Sequence, residues 1–425
     1  MLLRTVLRTS AGLRALPFLV GFLLVALGDE ITDWVTPGYG LSATGHASIA
    51  LPFAGAACAA AGAWEGGRLH RGRVFDRSPV RSPLAITAPV LLPVVVTGGL
   101  GMAAAVGAAA VAGGTAAGTT QPGLFAAWAG LLLANTLVGS IVGRVLVPVV
   151  AVPLALVSSF VLNAYPASST TYWLRHLVGG GLPDCCAVDQ VLDQKAVLSA
   201  LAFSGAVCAA AVLVIRYRGA PAALAVALAV TAGGVTLAAH LARGLGPEPV
   251  RDRPGTALVC DHGRPRICLW PELGTARADL VRTEARRVVT TLAERGVPVP
   301  ATLTMAARPG PGEAKLGVPT TARAQDVTPG VVGGLLPRTP DCARAGAPYP
   351  AGAAAGPVAA WLTAEAAPDG AAPAARGRFG AEDAALAGHL LRLPREAQLD
   401  WYRAATEALR HCDTPAPALP PGGGR

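Results

Sequence analysis

Three common catalytic signatures are missing from these 425 residues. There is no G-x-x-x-x-G-K-S/T loop, so the chain does not hydrolyse ATP by the phosphate-loop route. There is no H-E-x-x-H pair for a zinc peptidase and no G-x-S-x-G elbow for a serine nucleophile. No other acid/base or nucleophile pair stands out. The chain is therefore not read as an enzyme, and no catalytic, cofactor-binding or metal-ligating residue is assigned. Charge is also scarce where the chain is longest in apolar runs. Residues 245–425 hold 21 of the 35 Lys+Arg and 18 of the 26 Asp+Glu, which leaves few for residues 1–244. Aromatic residues make up only 5%, and no basic stripe interleaves with them. A pI near 9.5 thus does not point to nucleic acid. Arginine far outnumbers lysine, and Ala, Gly and Pro abound. That is a habit of genome composition rather than a physical signal.

What remains is a chain of two unlike halves. The first is organised around the arginine-dense run Glu65 to Pro83, EGGRLHRGRVFDRSPVRSP. It carries Arg68, Arg71, Arg73, Arg77 and Arg81 against Glu65 and Asp76, with apolar stretches on both sides. Clustered Lys/Arg in a short loop between apolar spans marks the cytoplasmic side, so these five arginines are the topology-determining residues. Alternation then places the rest. Arg4, Arg8 and Arg14 precede an apolar run, 15–28, read as an uncleaved first span. A secretory signal is the alternative, since Ala26 and Gly28 are small. The loop 29–45 is acidic and lies outside. Spans follow at about 46–64, 84–111, 124–142, 145–162, 196–215 and 222–241. Pro89 and Pro93 are expected to kink the third. One arginine, Arg144, separates the fourth and fifth, as a tight hairpin or as a broken pair that re-enters the membrane. The segment 163–194 lies outside, with a short interfacial helix at 170–178 held by Tyr172 and Trp173. Arg216 and Arg218 lie inside. Seven spans put the C-terminal half outside; an even number would leave it inside.

Polar groups within the spans are few. His46 and His240 sit near span ends and are read as interfacial. Asn135, in mid-span, is expected to bond a neighbouring helix, and Gly139 with Gly143 offers a small-xxx-small face. Cys58 and Cys208 are read as small packing residues.

The second half opens with a Pro/Arg linker. TALVC (256–260) and RICLW (266–270) read as strands around the turn DHGRP, and ATLTM (301–305) as a third. Residues 274–295 form an amphipathic helix with Val281, Ala285, Val288 and Leu292 on one stripe, stopped by Gly296 and Pro298. Residues 306–380 show little periodicity. Helices follow at 381–391 and 395–411, the latter with Leu399, Tyr402 and Leu409 on one face. The expected organisation is a helical membrane domain (1–244), a small α+β extracytoplasmic domain (245–415) and a disordered tail (416–425). Six cysteines fall outside on this topology, where disulfides form. Cys260 with Cys268 and Cys342 with Cys412 are the expected pairs. A metal reading of Cys260, His262 and Cys268 matches no common zinc spacing. Cys185 and Cys186 are adjacent, which disfavours a bond between them.

Two stretches carry a resemblance: LVCDHGRPRICLWPE (258–272), with the helix after it, and LPREAQLDWYRAATEALRHCD (393–413). With the overall layout, they resemble membrane subunits encoded beside ATP-binding-cassette transporters in high-GC actinobacteria. Neither stretch is a catalytic motif, and no functional residue carries over. The resemblance implies a multi-pass, permease-like or accessory subunit of an ABC-type transporter. Its partners would be the lipid bilayer, a cytoplasmic ATP-binding subunit and other subunits in a homo- or hetero-oligomer. The competing reading is a membrane-anchored extracytoplasmic binding or sensing module. Neither requires a cofactor.

Overall fold

The structure is a computed structural model that describes residues 9–77, 82–115, 121–367 and 378–418. Arg4, Arg8 and Arg81, and the tail from 419, lie outside the described residues. The chain divides into two compact units, Met1–Arg251 and Asp252–Arg425.

The first unit is helical. Six of its helices are long and apolar enough to cross a membrane: α2 (Gly40–Arg71), α3 (Pro83–Ala112), α4 (Pro122–Val145), α5 (Pro148–Ser168), α7 (Gln194–Arg216) and α8 (Pro221–Leu241). A shorter apolar helix, α1 (Ala11–Ala26), precedes them. Between α5 and α7 lies the expected short helix, α6 (Tyr172–Leu177). Proline opens α3, α4, α5 and α8. There its fixed φ fits and its missing N–H is not needed. Ser82 caps α3 by accepting from Ala85, and Asp193 caps α7 by accepting from Lys195. Helix α3 runs unbroken through Pro89 and Pro93. The chain is extended at Leu146 between α4 and α5, so these are two separate helices.

Two expectations are corrected. The segment 29–45 is not a plain loop: Gly28–Thr32 is helical and α2 begins at Gly40. Ile31, Leu41 and Ala43 are buried there; polar Ser42, Thr44 and His46 hid the helix from a hydropathy reading. Cys185 and Cys186, for which a bond to each other was disfavoured, lie within disulfide distance of each other.

Helix α2 is the hub. Of its most apolar window 72% is buried, against 17% for α8. The contact between α2 and α4 is made by backbone. A Cβ on Gly139 would fall into the Ala59 carbonyl, and one on Gly143 into that of Ala63. Reciprocally, a Cβ on Gly62 would meet the Thr136 carbonyl and one on Gly66 that of Ser140. Small residues at every fourth position on both helices are what permit this approach.

The second unit is α+β. Its sheet has four strands in sequence order: β1 (Val259–Cys260), β2 (Arg266–Leu269), β3 (Thr302–Thr304) and β4 (Glu313–Lys315). The first pair is antiparallel, with Cys260 opposite Cys268, and the others are parallel. Helix α9 (Gly274–Glu294) connects β2 to β3. Its stripe Val281, Ala285, Val288 and Leu292 is fully buried. Strand β4 and the helices α10 (Ala324–Leu335) and α11 (Ala355–Glu365) arise in the stretch that showed no period. Helices α12 (Ala381–Leu390) and α13 (Arg395–Ala408) complete it. On α13 the buried residues include Gln398, Trp401, Tyr402 and Ala405, with Leu409 just beyond, while Leu399 is only half-buried.

Candidate functional site

The helix ends of the first unit fall into two groups. At one end the carboxylate of Glu65, fully buried, accepts from the Ala11 amide at 2.8 Å and pairs with Arg68 at 2.8 Å. A carboxylate at the first amides of α1 is where the helix dipole favours one. Arg68 also donates to the Thr9 carbonyl at 3.0 Å. The same end holds a recess of about 850 Å³, into which the end of α2, the short helix Val74–Arg77, and the ends of α4 and α7 bring Arg71, Arg73, Arg144 and Arg218, with His70 and Phe75. Of the five arginines expected to set topology, Arg71 and Arg73 thus line the recess and Arg68 holds Glu65. Arg77 closes the short helix, and Arg81 lies outside the described residues.

The segments expected on the other side meet at the opposite helix ends. The Gly38 amide donates to Gly113 at 2.8 Å, and the Tyr39 hydroxyl to the Gln190 carbonyl at 2.6 Å. His46 Nε2 lies 2.6 Å from the Trp34 carbonyl. His176, buried on α6, is 2.9 Å from the Gly246 carbonyl. Burial holds the His176 imidazole below its ordinary value, and that carbonyl only partly offsets it.

Between these ends sits a polar cluster in otherwise apolar surroundings. Asn135 Oδ1 on α4 accepts from Ser159 Oγ at 2.7 Å and Asn163 Nδ2 at 3.3 Å, both on α5. Asn135 Nδ2 donates to its own Leu131 carbonyl at 2.8 Å. These three side chains, with Thr231 of α8, line a cavity of about 260 Å³. Asn135 therefore bonds the neighbouring helix, as its position suggested. Ser159 and Asn163 gave no signal of their own. Their four-residue spacing on an apolar helix was the available clue, since it puts both on one face.

In the second unit the cysteines expected to pair lie at disulfide distance. Their Cα atoms are 3.9 Å apart for Cys260–Cys268 and 6.4 Å for Cys342–Cys412. The stretch 258–272 is a structural hairpin. Asp261 Oδ1 accepts from the amides of Gly263 (3.1 Å) and Ile267 (3.0 Å), and Oδ2 faces Arg282 (3.5 Å) and Arg286. Burial would raise the Asp261 carboxyl, but the two amides and Arg286 outweigh it and hold it below the ordinary carboxylate range. Trp270 is buried, donates to the Met305 carbonyl at 3.1 Å and lies under the Arg253 guanidinium. Among the described residues no cluster of His, Cys, Asp and Glu is arranged to hold a metal ion.

No curated protein and no solved structure matches the chain. Residues 267–412, all within the second unit, match the family model described as Domain of unknown function (DUF7224).

Proposed function

We propose that the protein is a permease-like or accessory membrane subunit of an ABC-type transporter. It would cross the membrane seven times, carry its C-terminal unit outside and rely on a separate cytoplasmic ATP-binding subunit. The observation that carries this reading is the Asn135–Ser159–Asn163 cluster beside its cavity. Polar groups inside a membrane domain are costly and are kept where a solute is held or passes. Without a nucleotide motif, the energy for transport comes from a partner. Two features support the seven crossings. The helix ends nearest the arginines gather round one recess, while the acidic and neutral segments bond one another at the other ends. Helix α1 starts beside Glu65 and Arg68; at 16 residues it is about 24 Å long, short of the ~30 Å hydrocarbon core, so by itself it does not complete the seventh crossing, which needs the residues up to Thr32 as well. The short helix at Gly28–Thr32 follows it.

Purification of the full chain in mild detergent is expected to bring an ATP-binding subunit with it. Deleting the gene for that subunit is expected to reproduce the phenotype of deleting this one. A chain that elutes alone, with no shared phenotype, would sink the proposal. Topology is checked with single cysteines at Ala220, in the exposed turn before α8, and at Gly333, where a new side chain meets open space. An impermeant maleimide is expected to label position 333, but not 220, in intact cells. Labelling of both or neither rules out the seven-span count.

The second unit's own core and its separate family match favour a second reading, a membrane-anchored extracytoplasmic binding or sensing module. In that case the C-terminal unit binds a ligand, and mutations at Asn135 leave the phenotype unchanged.

A further inference from the structure

The recess at the arginine-rich end has chemistry that a purely topogenic loop does not need. Positive charge near the cytoplasmic face orients a membrane protein wherever the side chains point, and lysine serves as well as arginine. Here four guanidinium groups from three separate chain segments turn toward one space of about 850 Å³. None of the described residues that line it is an Asp or Glu. Among the described residues, no carboxylate pairs with Arg71, Arg73 or Arg144.

Arg144 is held in place. One terminal nitrogen donates to Thr87 Oγ1 at 2.8 Å, and the guanidinium lies over the Phe75 ring at 4.8 Å. The Phe75 carbonyl in turn accepts from Arg218 at 3.0 Å. Phe75 thus fixes two of the four cations. The Nε of Arg144 is buried without an acceptor.

The backbone adds an independent observation. Among the described residues only two non-glycine positions have a positive φ, Arg73 at 47° and Arg218 at 52°. Both line the recess. The left-handed region is unfavourable for an ordinary side chain. Arg73 adjoins Gly72, which keeps a negative φ, so at that turn a residue without that cost was available one position away. Strain of this kind persists where the surroundings impose it, often at ligand sites.

We propose that this recess binds a phosphate-bearing anion joined to an apolar group. The guanidinium fork matches the oxygens of phosphate, which several arginines bind better than lysines do. The remaining walls, which include Ile141, Val145, Val214 and Ile215, suit the apolar part. The recess is large enough for a whole small ligand. Two sources share this chemistry, the headgroup of an anionic phospholipid and a soluble phosphate ester. The site needs no ATP-binding partner and is tested in its absence.

The test uses the full chain in a neutral detergent at low salt. Thermal unfolding is followed with phosphatidylglycerol in mixed micelles, with phosphatidylcholine as the control lipid, and with phenyl phosphate as the soluble probe. A saturable rise in Tm with phosphatidylglycerol alone assigns the site to lipid. A rise with phenyl phosphate alone assigns it to a soluble ester, and a rise with both identifies the shared phosphate. Arg144→Lys keeps the charge and loses the fork, and is expected to weaken binding about tenfold, the equivalent of one charge-assisted hydrogen bond. Arg73→Gly removes the strain, so its Tm without ligand is expected to hold or rise while binding weakens by a similar factor. No rise with either probe overturns the proposal. So does an equal rise with phosphatidylcholine, or affinity unchanged in both variants.

Discussion

Exposed apolar side chains set the two units apart. In the helical unit Phe18, Val25, Val111 and Val149 are each 80% exposed or more. In the C-terminal unit the only large apolar residues that stand exposed among those described are Val259 and Leu280. The helical unit is therefore apolar outside as well as in, so burial of apolar area cannot be what draws its helices together in lipid. Backbone approach does that work, along Gly62, Gly66, Gly139 and Gly143. The C-terminal unit is built for water. Val281, Val288 and Trp361 fill its core. Among its described residues the buried acid is Glu365, set 2.9 Å from Arg395 and 3.4 Å from Arg295. The same chain thus relies on close backbone approach in one unit, where Glu65 with Arg68 is a buried ion pair at a helix end, and on solvent exclusion with charge pairing in the other.

The comparison breaks most sharply at Gly143. Replacing it with Leu puts a branched side chain where the Ala63 carbonyl sits. Overpacking against side chains costs about 1–3 kcal/mol. Backbone cannot move aside as a side chain can, so the loss should exceed that range. The expected outcome is no monodisperse protein by size exclusion. Gly99→Leu, on an open face of α3 with nothing within 4 Å, is expected to behave as the parent. Equal behaviour of the two variants would mean that close approach does not hold the helical unit together.

The C-terminal unit is expected to depend on its cysteines instead. Cys342 and Cys412 are 70 residues apart in sequence, and closing such a loop is worth roughly 4 kcal/mol in the chain-entropy model. Cys260 and Cys268, 8 apart, are worth roughly 2.5 kcal/mol by the same reckoning. Pulse proteolysis of the full chain in urea should show the double Cys342→Ser, Cys412→Ser variant losing more stability than Cys260→Ser, Cys268→Ser. A non-reducing peptide map with all four thiols free would remove both effects, along with the argument that this unit sits in an oxidising compartment.

Legibility followed the same division. Long apolar runs made most of the membrane helices readable to within a few residues, because lipid imposes length. The start of α2 at Gly40 was missed because Ser42, Thr44 and His46 are polar yet buried or half-buried. In the C-terminal unit α9 was readable, since one face is wet and the stripe recurs. Helix α11 was not. Pro357, Val358 and every residue from Ala360 to Glu365 are buried, and a helix buried all round has no period. Helix α10 hid for another reason. Gly330 and Gly334 serve packing, with a Cβ on Gly330 only 2.7 Å from the Gly317 carbonyl and one on Gly334 falling into that of Lys315, so the segment reads as loop. The recess was legible only in part. Each arginine was visible in its own loop, but their convergence needed the fold.

The mildest effect expected is at Asp261, and it bears on whether charge supports only one of the two units. Its carboxylate takes two backbone amides and faces Arg282 and Arg286. Although burial alone would raise its pKa, these partners bring it below the ordinary value. In the unfolded chain it titrates near 3.9, roughly. A group whose pKa is lower when folded contributes stability above the unfolded pKa, and loses it as pH falls through the folded one. Asp261→Asn keeps the shape of the turn but gives up the charge. At neutral pH it should cost about 1–2 kcal/mol, the scale of hydrogen bonds to a charged group. Below about pH 4 the unfolded parent takes up its proton first, so the difference between the two proteins should begin to shrink, and it closes only as pH falls through the lower folded value. Asn135→Leu in the helical unit removes hydrogen bonds that involve no titratable group. Its cost should stay flat across the same range. The measurement is urea unfolding of both variants and the parent from pH 7 to pH 3, each followed by proteolysis of its own unit. A flat Asp261→Asn difference would show that the turn is held by its amide bonds alone, and that charge is no more essential to the C-terminal unit than to the helical one.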